Sequence, residues 1–291
     1  ARARVIERCT LDIFAELRSV LHGPPSEARF ETACALIEHA PEADRAGRLV
    51  PYAVDHMSLW APSLRRLPDL SITRLADGER LGALALLATY ARIERGDLPP
   101  AILAALCTHE EFAHLKWVTL RSNPLSPEDL ERLLKAPHLA SLERLNLIEC
   151  ELGPRAAQRI AHSSGAARLR ERFLDDCALA DAGLAALADS PHLAQLERLD
   201  LGGNGLRSAS ALKALLRSPA LTGLKALDLS RNQLGDDAAR VIATSPRTAT
   251  LTWLDLTGNP MSADARRTLE RRAYLNRAAR KHLWREAGLL R

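Results

Sequence analysis

Few residues of this chain invite a chemical reading, and the sharpest candidate is His109-Glu110-Glu111-Phe112-Ala113-His114. Two histidines four apart on one helix face, with a glutamate beside the first, hold and serve the zinc of a metallopeptidase. Here the histidines stand five apart, which turns them about 140° from one another on a helix, so the segment is not read as a metal site. No Gly-x-Ser-x-Gly nucleophile turn, P-loop or dinucleotide fingerprint occurs. Gly202-Gly203-Asn204-Gly205 is glycine-rich but does not precede a phosphate-binding helix. Cys9, Cys34 and Cys107 fall on helical faces and are read as core residues. No catalytic residue, metal or cofactor is expected.

The remaining candidates are recognition residues, and they share a location only because of a repeat. Leucines opening successive units stand at Leu115, Leu142, Leu169, Leu196, Leu224 and Leu251, spaced by 27 residues except for one step of 28. Each unit reads Leu-x-x-Leu-x-Leu-x-x-Asn/Cys-x-Leu, with a third apolar residue at Leu120, Leu147, Leu174, Leu201, Leu229 and Leu256. The Asn/Cys position holds Asn123, Cys150, Cys177, Asn204, Asn232 and Asn259. A chain leaving a strand and turning inward buries backbone groups there, so a small hydrogen-bonding side chain is required. A helix follows each closing leucine. Ser126 caps one such helix and Pro127 opens it, and Ala136-Pro137, Ser190-Pro191, Ser218-Pro219 and Ser245-Pro246 return the chain to the next strand.

These units resemble leucine-rich repeats of the ribonuclease-inhibitor-like subfamily. The resemblance covers residues 115–262, and a degenerate unit precedes it with Ala88, Ala91, Ile93, Gly96 and Leu98 in register, Pro100 opening a helix and Phe112 before the next strand. It implies an α/β fold: a right-handed solenoid, or horseshoe, with parallel strands on the concave face and helices on the convex face. It also implies binding of other proteins and no activity by itself. Some proteins with similar repeats activate GTPases through loops at the sheet edge. No motif here matches that role, so it stands as an alternative without site residues.

In a strand of this register, alternate residues point out of the concave face. Read copy by copy, they place Glu149, Glu171, Asp175, Asp176, Asp200, Asp228 and Asp255 in a curved acidic column that repels itself and attracts a basic partner. Asp between the second and third leucines is also an ordinary solubilising choice. Trp117, Ile148, Phe173 and Trp253 put large apolar groups where solvent is expected, in a chain with 4% aromatic residues. With Arg121, these residues form the expected partner-binding set. Arg172 stands where Val118, Leu145, Leu199, Leu227 and Leu254 stand in the other copies. A guanidinium there requires a shifted strand that moves Phe173 inward, or a buried acid near Asp175-Asp176.

Three regions are expected: a helical N-terminal cap over 1–87, repeats over 88–262 with the first unit degenerate, and a basic amphipathic C-terminal helix over 263–291. Val5, Ile6, Cys9, Ile13, Phe14, Leu17 and Leu21 have helical spacing, ended by Gly23-Pro24-Pro25. Phe30, Ala33, Cys34 and Ile37 mark a second helix from Ser26 to His39. The tail from 263 carries nine Lys or Arg against three acids, while the whole chain is +4. On a helical wheel it sets Leu269, Leu275, Ala279, Leu283 and Leu290 opposite an arginine face. That arrangement suits a C-terminal cap, with nucleic acid or an anionic surface as the alternative partner of the arginines. Uncharged stretches such as Leu81–Ala91 are about half of what a bilayer crossing needs. Five cysteines without disulfide density, no Asn-x-Ser/Thr and no basic-then-apolar leader lead to a cytoplasmic expectation. The excess of Arg over Lys and the Ala-Leu-Arg richness suggest a GC-rich, bacterial genome.

Overall fold

A computed structural model describes residues 13–67, 81–94 and 98–271. Cys9, Gly96 and the tail beyond residue 271, with most of its expected arginine face, lie outside the described residues.

Seven strands form one parallel sheet in chain order: β1 (Tyr90–Arg92), β2 (Trp117–Thr119), β3 (Arg144–Asn146), β4 (Glu171–Phe173), β5 (Arg198–Asp200), β6 (Ala226–Asp228) and β7 (Trp253–Asp255). Their register stacks the central residues Ala91, Val118, Leu145, Arg172, Leu199, Leu227 and Leu254. That row points inward and is buried, while the residues on either side of it point to the concave face. The unit expected to be degenerate thus supplies β1, with Ala88, Ala91, Ile93 and Phe112 all buried.

Strands alternate with short helices on the other face. From Pro100 on these are Pro100–Thr108, Pro127–Lys135, Gly153–His162, Ala180–Ala188, Ala209–Arg217, Asp236–Thr244 and Ala263–Arg271. In Pro127–Lys135 the Ser126 side chain accepts from the Asp129 N–H while the Asp129 side chain accepts from the Ser126 N–H, and Pro127 stands at the first helical position. Leu130, Leu133 and Leu134 form its buried face. Pro137, Pro219 and Pro246 each open a 3-10 turn that leads back to the sheet.

The asparagine and cysteine row ties neighbouring coils together. Asn204 Nδ2 donates to Leu174 O at 2.7 Å and to Gly202 O at 3.1 Å, while its Oδ1 accepts from Cys177 N and Leu179 N. Asn232 and Asn259 repeat the pattern, each bonding to the coil before its own. The thiols of Cys150 and Cys177 take the same place, donating to Leu120 O at 3.0 Å and Leu147 O at 2.9 Å. Both cysteines are free and buried. Buried backbone carbonyls find partners across the coil boundary in this way, which is why the row tolerates either residue type.

Ahead of the sheet, a helix over 13–21 and the helices Glu27–Glu38 and Val50–His56 pack into the same continuous core, through Leu17, Phe30, Ile37 and Ala53. Strand β1 is not an open edge. Arg66 bridges to Tyr90 in parallel, Leu67 N–H donates to Tyr90 O, and the buried Arg65 guanidinium donates to Leu87 O and Met57 O. Among the described residues no helix is long and apolar enough to cross a membrane.

Candidate functional site

The concave face is built from two rows flanking the buried central row, plus the turn that leaves each strand. The first row runs Tyr90, Trp117, Arg144, Glu171, Arg198, Ala226, Trp253, and the second runs Arg92, Thr119, Asn146, Phe173, Asp200, Asp228, Asp255. Ser122, Glu149, Asp176, Gly203, Arg231 and Gly258 stand at one turn position of successive rungs, all with positive φ. Glycine at 203 and 258 marks that left-handed position in the sequence. The charged residues there accept the strain of the conformation and carry their side chains at the rim of the sheet.

The expected aromatic anchors are on this face, but none is exposed; each is half-buried under a neighbour. Tyr90 stacks on Trp117 with ring centroids 4.4 Å apart, and the Arg144 guanidinium lies 5.3 Å from the Trp117 ring. Arg198 sits between Phe173 and Trp253, at 5.1 Å and 5.3 Å from the two rings. The small Ala226 beside it leaves room for that reach. Ile148 is also half-buried. Cation–π contacts therefore replace the bare apolar patch that spacing alone suggests.

The acidic column differs in the same sense, because most of it is paired within the chain. Arg121 Nη2 donates to Glu149 Oε1 at 2.8 Å and Ser122 Oγ donates to Glu149 Oε2 at 2.6 Å, and together they hold the Glu149 carboxyl below its ordinary range. Arg144 pairs with Glu171 at 2.8 Å, and Arg231 with Asp176 at 2.8 Å across Gly203. Arg198 grips Asp200 through Nε and Nη2. Asp228 and Asp255 each accept the N–H two residues on, from Ser230 at 2.7 Å and Thr257 at 2.8 Å, as Asn146 does from Ile148. Aspartate recurs at this position because it caps the turn out of the strand, a stronger reason than solubility.

Rung five shows what happens when that cap is diverted. With the Asp200 carboxylate held by Arg198, the Gly202 N–H is taken instead by Asp175 Oδ1 from the preceding rung, at 3.1 Å. Asp175 leans over Gly202, where a Cβ would meet its Oδ1 at 2.6 Å. It is 8% exposed, and burial, followed by the charges of Asp200 and Asp228, pushes its carboxyl up to about 7. Burial likewise raises Asp200 to about 6 against the pull of Arg198.

Sequence reasoning left Arg144, Arg198 and Arg231 out of the site, although they are the cations that organise it. The signal was available in the aligned copies, where Arg144, Glu171 and Arg198 alternate in sign along one row. A second alternating row, Lys116, Glu143, Arg170, Glu197 and Lys225, forms ion pairs at the strand entrances.

Arg172 meets neither expectation. Strand β4 keeps its register, Phe173 stays on the concave face, and among the described residues no acid approaches the guanidinium. Arg172 is 1% exposed, and its Nη2 donates to Ala166 O at 2.7 Å. Among the described residues, Nε and Nη1 have no hydrogen-bond partner. Burial alone draws its pKa down to about 9.

His109 and His114 fall in and around a 3-10 turn (Glu110–Phe112), and among the described residues no cluster of three His, Cys, Asp or Glu is placed to hold a metal ion.

Against this geometry, residues 221–243 match the family model of the Leucine Rich repeat. The matched segment runs from Leu221 through β6 into the helix Asp236–Thr244, one full passage from turn to strand to helix. No curated protein matches the chain. The stacked parallel strands and the asparagine row are consistent with a leucine-rich repeat solenoid, and this match over one unit supports that reading. Repeats of this kind generally mediate protein–protein interaction.

Proposed function

We propose that this leucine-rich repeat protein is a non-enzymatic interaction scaffold, of the ribonuclease-inhibitor-like type, that binds a protein partner across its concave face. It acts as a recognition arm, inhibitor or adaptor. The helical residues up to 87 serve as the cap of the first rung. The observation that carries the reading is the concentration of rings and ion pairs on one continuous face: Trp117 with Arg144, Phe173 and Trp253 with Arg198, and the carboxylates among them. Aromatic and arginine side chains are the groups that dominate binding at protein interfaces. Side chains already held against one another in the free chain also lose less entropy on binding than free ones.

A photo-crosslinking amino acid tests this. Placed at Ile148 on the concave face, it is expected to capture a partner from native lysate; placed at Gln158 on the convex helix Gly153–His162, it is not. Trp117→Ala, Phe173→Ala and Asp175→Ala combined should abolish the concave crosslink while circular dichroism shows an intact fold. Crosslinks confined to Gln158, or unchanged by the triple variant, remove the concave face as the site.

A further inference from the structure

We propose that rung five is an acid-operated latch: on acidification Arg198 leaves Asp200 for Glu171, Asp200 turns to the Gly202 N–H, and the rings of Phe173 and Trp253 are uncovered. This concerns regulation of the concave face, and its consequence for binding rests on that face being the partner site.

The geometry sets two acceptors against one donor. In β3, β6 and β7 the residue at this strand position takes the N–H two residues on: Asn146 from Ile148, Asp228 from Ser230 and Asp255 from Thr257. In β5 that residue is Asp200, yet its carboxylate faces Arg198, with Nε at 3.1 Å and Nη2 at 2.9 Å. Asp175 Oδ1 takes the Gly202 N–H in its place, through the space that a Cβ at 202 would fill. Ile148, Ser230 and Thr257 carry side chains at the equivalent place and keep the ordinary cap. Rung five thus has a second arrangement open to it, the one its neighbours already display.

Arg198 has a second partner as well. Its register neighbour on β4 is Glu171, whose charge already acts on the guanidinium. Arg144 pairs with Glu171 one rung earlier, so a move of Arg198 to Glu171 extends that pair along the row. The Arg198 side chain is 34% exposed, and the move disturbs no core residue. Two arrangements with their polar groups satisfied make a bistable element.

Protons choose between them. Asp200 is 4% exposed and faces Arg198 on its own strand, Glu171 and Asp175 from the rung before, and Asp228 from the rung after, with Arg231 held on Asp176. Burial, with the charges of Asp228 and Glu171, outweighs the pull of Arg198 and brings Asp200 to about 6. A neutral Asp200 loses its charge-assisted hold on the guanidinium, which is roughly twice as strong as a neutral hydrogen bond. Its carbonyl oxygen still accepts the Gly202 N–H. Without Arg198 above them, Phe173 and Trp253 become the exposed apolar anchors that an interface uses.

Fluorine NMR of the full chain carrying 5-fluorotryptophan tests the latch. The chain has four tryptophans, and Trp253→Phe identifies the resonance concerned. Between about pH 7.5 and about pH 5 the Trp253 resonance is expected to shift with a midpoint near 6. In Asp200→Asn it should hold the low-pH position throughout, since an amide caps Gly202 as Asn146 caps Ile148 but does not hold Arg198 by charge. Arg198→Met keeps the stem without the guanidinium and should abolish the shift. A Trp253 resonance that ignores pH, that stays at its neutral position in Asp200→Asn, or that titrates equally in Arg198→Met overturns the proposal. The Ile148 crosslink, taken across the same range, is expected to rise about twofold or more in the parent and to be constant in Asp200→Asn. If the latch fails and the crosslink persists, the concave-face reading survives. If Trp253 titrates as expected and Ile148 captures nothing, the latch stands and the binding reading falls.

Discussion

Replacing Arg172 by leucine should make this protein more stable, although the residue sits in the middle of the core and holds a hydrogen bond. A fall in pKa from 12.5 to about 9 corresponds to roughly 5 kcal/mol by which burial disfavours the charged form at neutral pH. Against this stands the loss of the bond to Ala166 O, about 1 kcal/mol, and that carbonyl keeps the Leu169 N–H. Leucine is the residue on both neighbouring strands at this level, Leu145 and Leu199. Its volume is close to that of arginine, so repacking costs about 1 kcal/mol more. The net gain is roughly 2–4 kcal/mol, which at about 2 °C per kcal/mol for a chain of this length raises the midpoint of thermal unfolding by roughly 4–8 °C.

Thermal and urea unfolding followed by circular dichroism measure it, and pH supplies a second arm. With its folded pKa depressed, the Arg172 penalty is fully present below about 9. It shrinks as pH rises above that value, because the folded state then holds fewer protons than the unfolded one. The gap between parent and variant should therefore narrow from pH 8 toward pH 10. A variant less stable than the parent refutes the account of Arg172 as an uncompensated buried charge. A gap that ignores pH shows that packing, and not charge, sets the difference.

Substitutions at two further positions follow from the same geometry. Asn204→Ala removes four buried hydrogen bonds and should cost about 3 kcal/mol or more in urea unfolding. Asn204→Cys should cost less, because the thiol of Cys177 shows that sulfur can still reach the preceding coil's carbonyl. Asp175, raised from 3.8 to about 7, destabilises the fold when ionised. Its contribution is most favourable below about pH 4 and is lost as pH rises through 7, up to roughly 4 kcal/mol. Asp175→Asn should flatten the pH dependence of the unfolding midpoint over that range and raise stability near pH 8. An unchanged slope would show that the carboxyl titrates normally.

Much of the architecture was legible in the sequence because a solenoid is nearly one-dimensional: each coil contacts its neighbours, so spacing along the chain translates directly into stacking in space. The leucine register alone placed β2 to β7, the buried row and the asparagine and cysteine row. It also located the carboxylates and rings on one face. Arg172 was flagged as an anomaly from its position, and the cap at Ser126 from local residue types.

What the tertiary structure decided was how the side chains on that face satisfy one another. Alternation says which way Trp117, Phe173 and Asp200 point but not which neighbour they meet. Arg198 folds over two rings and grips Asp200, and that contact leaves the Gly202 N–H to Asp175. The reach of Arg231 across Gly203 to Asp176 joins residues 55 apart. Long flexible side chains choose partners by distances that exist only after the coils have stacked, and so the paired state of the acidic column was invisible in the order of residues. The burial of Arg172 without an acid is of the same kind. The sequence marks the charge as misplaced, and only the packed core shows that none of the described residues comes to neutralise it.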